Sequence, residues 1–464
     1  MGEVFTPRYL VKNMLDILGY FGENIKNKHI IDNSCGDGAF LDEIVYRFCE
    51  VYKNDKNLKQ LLEKFIHGIE IDERNYNSCI KRLNKLTEKY GIYNVAWDII
   101  NSDTTFIYKK YISKMDFVVG NPPYVRRHNL STLGESNNEF KFIDGGMIDL
   151  YIVFYEISFL MLKETGRMCL ITPSSFTTSI YGRNLRKYIQ KTNSLYKVID
   201  LNHFQPFKGI NVYTIIMAYD NNYNKDYFEY AYFDDKGSIT NYNKIKIKDC
   251  LIDDKMYFGN NNELSLLNKI LTCPIDKDIQ VKNGFATLAD KIFISDNFIS
   301  NELVIDILKA SSGDWKKAIF PYKNGVPIKE EILAKEYSWT YKYLSENKDK
   351  LLKRSLANSD EWYLFGRNQA VKDVNTDKIA INTVIKDINS LRIIDIPKGV
   401  GVYSGLYIIS KKYSYEDIRK ILISNDFINF IKILRKYKSG GYYTFSSKEL
   451  LKFISFKLSE SSNE

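Results

Sequence analysis

Apolar positions in the first half of the chain gather into short runs, and between the runs they recur at intervals of three and four residues. The runs are His29 to Asn33, Phe65 to Ile71, Val95 to Ile100, Asp116 to Gly120, Arg167 to Thr172, Tyr196 to Leu201 and Val212 to Tyr219. Bounded stretches of this length, rich in Val and Ile, predict strands covered on both faces. The intervening segments Phe40 to Tyr52, Glu73 to Tyr90, Ile148 to Leu162 and Ser179 to Gln190 carry helical spacing. This alternation predicts an α/β fold: a doubly wound, mostly parallel sheet with ligands at the carboxyl ends of its strands. The loop joining the last two strands holds Pro206 and Gly209 and is too short for a crossover helix, so that pair is expected to be antiparallel.

From about Asn221 the rhythm breaks into Asn-, Tyr- and Lys-rich segments. Tyr223 to Asn260 is expected to add strands or hairpins to the first domain, and Glu263 to Leu271 to form a short helix opening a second. Two domains, 1–258 and 259–464, follow, the second of mixed α+β type. Its strands are predicted around Ile279 to Lys282, Lys291 to Ser295, Lys378 to Val384 and Val402 to Ile409, ahead of a helical tail from Tyr415.

Composition narrows the function classes. The 464 residues suit two or three domains, and 44% hydrophobic content suffices for their cores. No apolar run approaches the roughly 18 residues of a membrane span, and MGEVFTPRYL lacks the basic and apolar regions of a signal peptide. A soluble, cytoplasmic protein is expected. The six cysteines show no C-x-x-C spacing and only four histidines occur, so neither a zinc site nor a disulfide framework is favoured and no metal is expected. A net charge of +9 suits a polyanionic partner, and 35 tyrosines would permit base stacking.

Candidate chemistry sits at the predicted strand ends. In HIIDNSCGDGAFLDEI a strand runs into Asp32, then Gly36 and Gly38, then a helix. The glycines permit a tight turn and close backbone approach, while the acid favours a ligand bearing hydroxyls or positive charge. Neither the Gly-x-Gly-x-x-Gly nor the Gly-Lys-Ser pattern of a phosphate cradle is present, so the turn suits a phosphate-free nucleoside cofactor. Glu70, at the tip of the next strand, is placed to accept both hydroxyls of a ribose, and Asp103 to accept from an adenine amino group. Acids at such positions also serve as helix N-caps. In DFVVGNPPYVRR a core strand ends in Asn121, Pro122, Pro123 and Tyr124. Two prolines without N–H groups leave the sheet stiff and extended, holding an amide, an uncommitted carbonyl and an aromatic ring at the strand tip.

Taken together, DNSCGDGAF, GIEID, NSD and GNPPY resemble the successive motifs of S-adenosylmethionine-dependent amino-methyltransferases. With FTP at Phe5 to Pro7 ahead of the glycine turn, their order is that of gamma-type N6-adenine DNA methyltransferases of restriction-modification systems. NGFATLADKIFI, EWYLFGRNQ and YKSGGYYTFSSKEL resemble the TaqI-like specificity domain of such enzymes, which extends the likeness over nearly the whole chain.

The resemblance implies a Rossmann-like methyltransferase domain at 1–258 with a final antiparallel strand, and a target-recognition domain at 259–464. It implies methyl transfer from S-adenosylmethionine to the N6 amino group of an adenine flipped out of double-stranded DNA, leaving S-adenosylhomocysteine. Thr6 and Pro7 would contact the methionine end of the cofactor; Asp32, Ser34 and Gly36 would line the same pocket. Glu70 would take the ribose, Ile71 pack on the adenine ring and Asp103 bind its amino group, with Asn121 beside the transferred methyl. Asn121 and the Pro122 carbonyl would hold both amino hydrogens of the target, directing the nitrogen lone pair at the methyl. Tyr124 would stack on the flipped base. A second stacking aromatic is expected near NVYTIIMAY, with Tyr219 chosen over Tyr213 and Phe207.

Other features take plainer readings. Arg126, Arg127 and His128 could touch DNA phosphates but equally suit a solvated face. Asn129 to Gly146 is expected to be a mobile loop, Leu150 to Leu162 a core helix, and Cys35 a small packing residue. In the second domain Lys282, Arg367, Lys378, Lys386 and Lys438 are candidate phosphate or base contacts, and Trp362 and Tyr442 candidate wedges. A monomer bound to the bacterial nucleoid through DNA is expected, with any cognate restriction endonuclease on a separate polypeptide. Methylation of a protein glutamine or of an rRNA amine is the alternative.

Overall fold

The computed structural model describes residues 6–127, 140–143, 148–207, 209, 212–234, 237–356 and 358–461. The chain divides into two compact units, Met1–Ser265 and Leu266–Glu464, the division falling inside the helix Asn261–Thr272.

The first unit is built on a nine-stranded sheet. Its strands are β1 (Ile30–Asp32), β2 (Ile66–Glu70), β3 (Asp98–Asn101) and β4 (Met115–Gly120), then, past a two-stranded pair β5 (Arg126–Arg127) and β6 (Ile148–Asp149), β7 (Leu162–Pro173), β8 (Leu195–Asp200), β9 (Thr214–Asp220), β10 (Tyr227–Tyr232) and β11 (Asn243–Lys246). The order across the sheet is β11-β10-β8-β9-β7-β4-β1-β2-β3. From β3 to β7 all neighbours run parallel; β9 runs antiparallel to both β7 and β8. The doubly wound sheet with a reversed strand is therefore as predicted. What the loop length did not reveal is that β9 inserts between β7 and β8 rather than extending the edge. Every residue of β1, β2, β4 and β9 is buried, which is why these strands read as mainly apolar runs without the strict alternation of a half-exposed strand.

Helices α1 (Arg8–Leu18), α2 (Ala39–Tyr52), α3 (Leu58–Phe65), α4 (Glu73–Glu88), α5 (Thr104–Ile107), α6 (Leu150–Met161) and α7 (Arg183–Thr192) accompany the sheet. Leu10, Met14 and Leu18 of α1 and Leu41, Ile44 and Phe48 of α2 join one core with Ile30, Ile66 and Val119 of the strands. Helix α6 is apolar nearly all round, and its aromatic stripe is core as expected: Tyr151, Phe154 and Tyr155 are all buried.

The second unit holds a four-stranded antiparallel sheet in the order Ile279–Asn283, Leu406–Ser410, Lys378–Ile381, Ile393–Ile396. A three-stranded sheet has Val304–Lys309 at its centre, antiparallel to Asp314–Ile319 and parallel to Gly401–Tyr403, and a smaller one joins Val384–Ile385, Tyr442–Thr444 and Tyr437–Lys438. Phe365 is the hub of its core, stacked on Phe285 at 4.6 Å, edge-on to Phe293 at 5.3 Å and tilted against Tyr322 at 5.3 Å. The strand predicted at Lys291 to Ser295 is instead a helical turn, Asp290–Phe293: Ile292 and Phe293 N–H both donate to Ala289 O, and Thr287 Oγ1 anchors the entry by accepting from Ala289 N–H. The hairpin Val304–Ile319 had no clear periodic signal and was not foreseen. Trp362 is 2% exposed with its indole N–H on Glu330 at 3.3 Å, so it is a core residue and not a wedge. Lys378 is likewise buried, donating to the carbonyls of Asp373 and Thr376, both at 2.9 Å, and Lys282 is tied to Asp373 at 2.8 Å.

Candidate active site at the strand carboxyl ends

The candidate residues meet where β4, β1, β2 and β3, adjacent in that order, end at one edge of the sheet. After β1 the chain turns through Gly36, at φ 55°, and Gly38, at φ 87°, into α2. Left-handed backbone at both points explains the two glycines. At Gly38 a side chain also has no room, since a Cβ would lie 2.7 Å from Cys79 Sγ. The turn is held from the neighbouring strand: Cys35 N–H donates to Ile69 O at 2.9 Å, and Gly36 N–H to Glu70 Oε2 at 2.8 Å. The other Glu70 oxygen accepts from Asp72 N–H at 2.8 Å. Glu70 thus braces the glycine turn, a role its position at a strand tip did not disclose.

Asp32 is 1% exposed and accepts from Ser34 N–H at 3.1 Å. Burial, with a further push from the Glu70 carboxylate and against the pull of that N–H, raises its carboxyl to about 8. Gly120 lies against it, leaving a Cβ position only 2.7 Å from Asp32 Oδ1. A buried acid crowded by a second carboxylate favours a cationic ligand beside it. Ile71, one residue past Glu70, is 62% exposed, an apolar surface at the same edge. Asp103 caps α5, accepting from Thr105 N–H and Oγ1–H, both at 2.8 Å through one oxygen, so the plain N-cap role is real.

Asn121 follows β4 directly. Its Nδ2 donates to Thr6 Oγ1 at 3.2 Å, and Ser34 Oγ–H donates to the Asn121 carbonyl at 3.3 Å. Thr6 and Pro7, at the start of α1, are thereby joined to the tip of β4 and to the β1 turn. Phe5 lies outside the described residues. Pro122 is buried, and Pro123 and Tyr124 are half-buried. The Tyr124 hydroxyl donates to Ile171 O on β7 at 3.3 Å, and burial pushes its phenol well up.

Tyr219 is not part of this cluster, and the expectation that it stacks on a target base is corrected. It is fully buried, edge-on to Tyr155 at 6.1 Å and Phe159 at 5.0 Å, with its hydroxyl on Met217 Sδ at 3.6 Å. The reason is the direction of β9. Thr214 pairs with Pro173 at the carboxyl end of β7, whereas Tyr219 pairs with Met168, level with Val118 inside β4, so Tyr219 lies two residues, about 7 Å along the strand, behind the Gly120 tip and within the sheet. Phe207, in the loop before β9, is the aromatic that meets Tyr124: their rings are 6.3 Å apart at 76°, edge to face. The antiparallel pairing already expected for β8 and β9 carried this signal, because it returns their connecting loop, not the end of β9, to the edge where β1 and β4 finish.

The arrangement therefore offers a turn for close backbone approach, acids for a cationic and hydroxylated ligand, an exposed apolar side chain, and an amide with an aromatic ring for a second group. Among the described residues no cluster of three or more metal-ligating side chains occurs, and no helix is long and apolar enough to cross a membrane. Of the basic trio beyond Tyr124, Arg126 and Arg127 lie in β5, and His128 falls outside the described residues. So do 129–139 and 144–146 of the loop expected to be mobile; of its described residues, Lys141 and Phe142 donate their N–H groups to Glu156 of α6, both at 2.7 Å.

Residues 38–207 match the family described as Eco57I restriction-modification methylase. The Type II methyltransferase M.BstVI of Geobacillus stearothermophilus is 30% identical over 248 residues, covering 50% of this chain and 44% of that protein. The Type II restriction enzyme and methyltransferase RM.Eco57I of Escherichia coli is 24% identical over 533 residues, covering 91% of this chain and 53% of that protein. The chain thus spans about half the length, or less, of these curated relatives. In fold it is similar to the Type IIL restriction-modification enzyme MmeI, solved in complex with DNA, with a TM-score of 0.62 at 14% identity over 95% of this chain and 64% of that one. The likeness to restriction-modification methylases carried by the sequence motifs is borne out.

Proposed function

We propose that the chain is an S-adenosylmethionine-dependent DNA methyltransferase acting on the N6 amino group of adenine extruded from a duplex, within a restriction-modification or related defence system. The observation that carries this reading is the placement of Asn121 to Tyr124 at the tip of β4, one strand from the buried Asp32 and joined to the β1 turn through Ser34. The residues present fit the cofactor: a cationic sulfonium and ammonium suit Asp32, ribose hydroxyls suit Glu70, and an adenine suits the exposed Ile71 and the carboxylate of Asp103. When bound, the cofactor supplies an activated methyl group.

The remaining work falls to this chain's residues. The Asn121 side-chain oxygen and the Pro122 carbonyl accept the two amino hydrogens of the target, which localises the nitrogen lone pair toward the methyl. Tyr124 stacks on the extruded base, and Phe207, its edge-to-face neighbour, takes the part of the second aromatic. Once methylated, the target nitrogen would carry a positive charge that makes one of its protons acidic, and that proton would leave to solvent, so no dedicated base is needed. The second unit, 266–464, acts as the target-recognition domain, and the protein works as a monomer on one strand at a time.

Single-molecule sequencing of DNA from cells expressing the chain tests this, with Asn121→Ala as control. The expected result is N6-methyladenine at one defined motif, absent from the control. Cofactor binding without any modified base in DNA would overturn the DNA substrate, and labelled-methyl transfer into extract would then separate protein from RNA acceptors.

A further inference from the structure

In the second unit a bulky apolar side chain is held where backbone sterics oppose it. Leu288 sits at φ 56°, a left-handed conformation that leucine rarely adopts, and is 46% exposed. It does not reach that position through looseness. Its side chain lies on Gly366, where a Cβ would come 2.4 Å from Leu288 Cδ1. Around that contact two chain segments are pinned together. Ala286 and Arg367 exchange N–H···O bonds of 3.0 and 2.9 Å, and Gly366 N–H donates to Thr287 O at 3.3 Å. The guanidinium of Arg354 spans both segments, donating to Thr287 O at 2.7 Å, to Leu364 O at 2.9 Å and to Trp362 O. Phe365, the hub of the core, anchors the turn from beneath.

The surroundings of this platform are cationic and polar. Leu288 borders a depression of about 680 Å³ whose rim carries Lys291, Lys350, Asn347 and Asp290. Asp290 is occupied locally, accepting from Thr287 Oγ1–H, and both lysines are exposed. On the other side of Gly366 the turn presents Arg367, Asn368 and Gln369, all exposed. A rigid apolar point flanked by cations and by the side-chain types that pair with base edges matches the chemistry of duplex DNA, in which an apolar wedge enters between base steps while cations meet the flanking phosphates.

We propose that Leu288, set on Gly366, is a wedge that enters the base stack of bound DNA, with Lys291 and Lys350 pairing with phosphates beside it. This rests on the DNA-directed function proposed above. The strained conformation supplies a discriminating test, because glycine is the residue that the left-handed position favours. Leu288→Gly is expected to leave the melting temperature unchanged or raised, leave cofactor affinity by calorimetry unchanged, and weaken retention of sheared genomic DNA in a filter-binding assay by roughly ten- to a hundredfold. Leu288→Asn, which also tolerates this backbone, should behave likewise. The loss should leave the salt dependence of binding unaltered, whereas Lys291→Ala and Lys350→Ala should each lower the log–log salt slope by about one.

If Leu288→Gly retains DNA as the unsubstituted chain does, the wedge is overturned while the proposed function stands. A fall in melting temperature with DNA affinity intact would also overturn it, by showing Leu288 to be a packing residue. A full-length chain that binds cofactor but retains no DNA would overturn both proposals.

Discussion

Replacing Asp32 by Asn tests the electrostatics of the site without touching its shape. Asp32 is the most deeply buried acid at the strand ends, held at about 8 in the folded protein against an ordinary 3.8. Across the interval between those values the unfolded chain has released a proton that the folded chain keeps. The raised value therefore contributes stability that is complete below pH 3.8 and is lost as pH climbs through about 8. The slope is that of one proton, about 1.4 kcal/mol per pH unit, which amounts to on the order of 4 kcal/mol between about pH 5 and pH 8. Asn keeps the acceptor for Ser34 N–H and has no proton to lose. In urea unfolding of the cofactor-free protein, Asp32→Asn is expected to gain on the unsubstituted chain steadily with pH, all other groups cancelling in the difference. The cofactor should pull Asp32 toward its ionised form, so binding near pH 7 should release protons, seen as a buffer-dependent calorimetric enthalpy that Asp32→Asn abolishes. If the two unfolding profiles run parallel from pH 5 to 8, within about 0.5 kcal/mol, the account of Asp32 as a buried acid awaiting a cation is wrong.

Tyr124→Ala and Phe207→Ala should each slow methylation of duplex DNA by about 10- to 100-fold, the value of one stacking face. Tyr219→Phe should change neither stability nor rate, because among the described residues its hydroxyl donates to the weak acceptor Met217 Sδ at 3.6 Å, while Tyr219→Ala should cost about 3–5 kcal/mol of stability measured by chemical denaturation. Gly38→Ala combines left-handed backbone with a Cβ 2.7 Å from Cys79 Sγ, and a loss of about 2–4 kcal/mol is expected. Cys79→Ala in the same chain should recover the crowding part of that loss and not the backbone part, which a double-mutant cycle reads directly. In the second unit Glu449 is buried and accepts from Lys436 Nζ at 2.6 and 2.8 Å and from Ser446 N–H at 2.8 Å. Against the upward push of burial, Lys436 and Ser446 hold its carboxyl below the usual range. Its contribution is present above the ordinary glutamate value and is lost as pH falls through the lower folded one; Glu449→Ala should remove about 3 kcal/mol at neutral pH, by thermal or urea unfolding.

Much of the first unit was legible in the residues themselves. Strands β1, β2 and β4 are buried on both faces, so burial wrote itself into the sequence as mainly apolar runs without polar alternation. The glycine turn and Asn121 to Tyr124 are set by residues adjacent in the chain, whose backbone limits hold whatever surrounds them. The short Pro206–Gly209 loop required an antiparallel return, and β9 makes one. Other features depend on partners far away in sequence, and only the folded chain decided them. The insertion of β9 between β7 and β8 sets which end of that strand faces the site, which removed Tyr219 and brought Phe207 against Tyr124. Glu70 braces the glycine turn because β2 lies beside β1. Trp362 and Lys378 looked available for DNA until the core closed over them, and Leu288 gained significance only from the glycine beneath it. Periodicity and turn chemistry act over a few residues, so sequence alone determines them. Which side chains stay exposed, and which meet, depends on long-range packing, and that belongs to the tertiary structure.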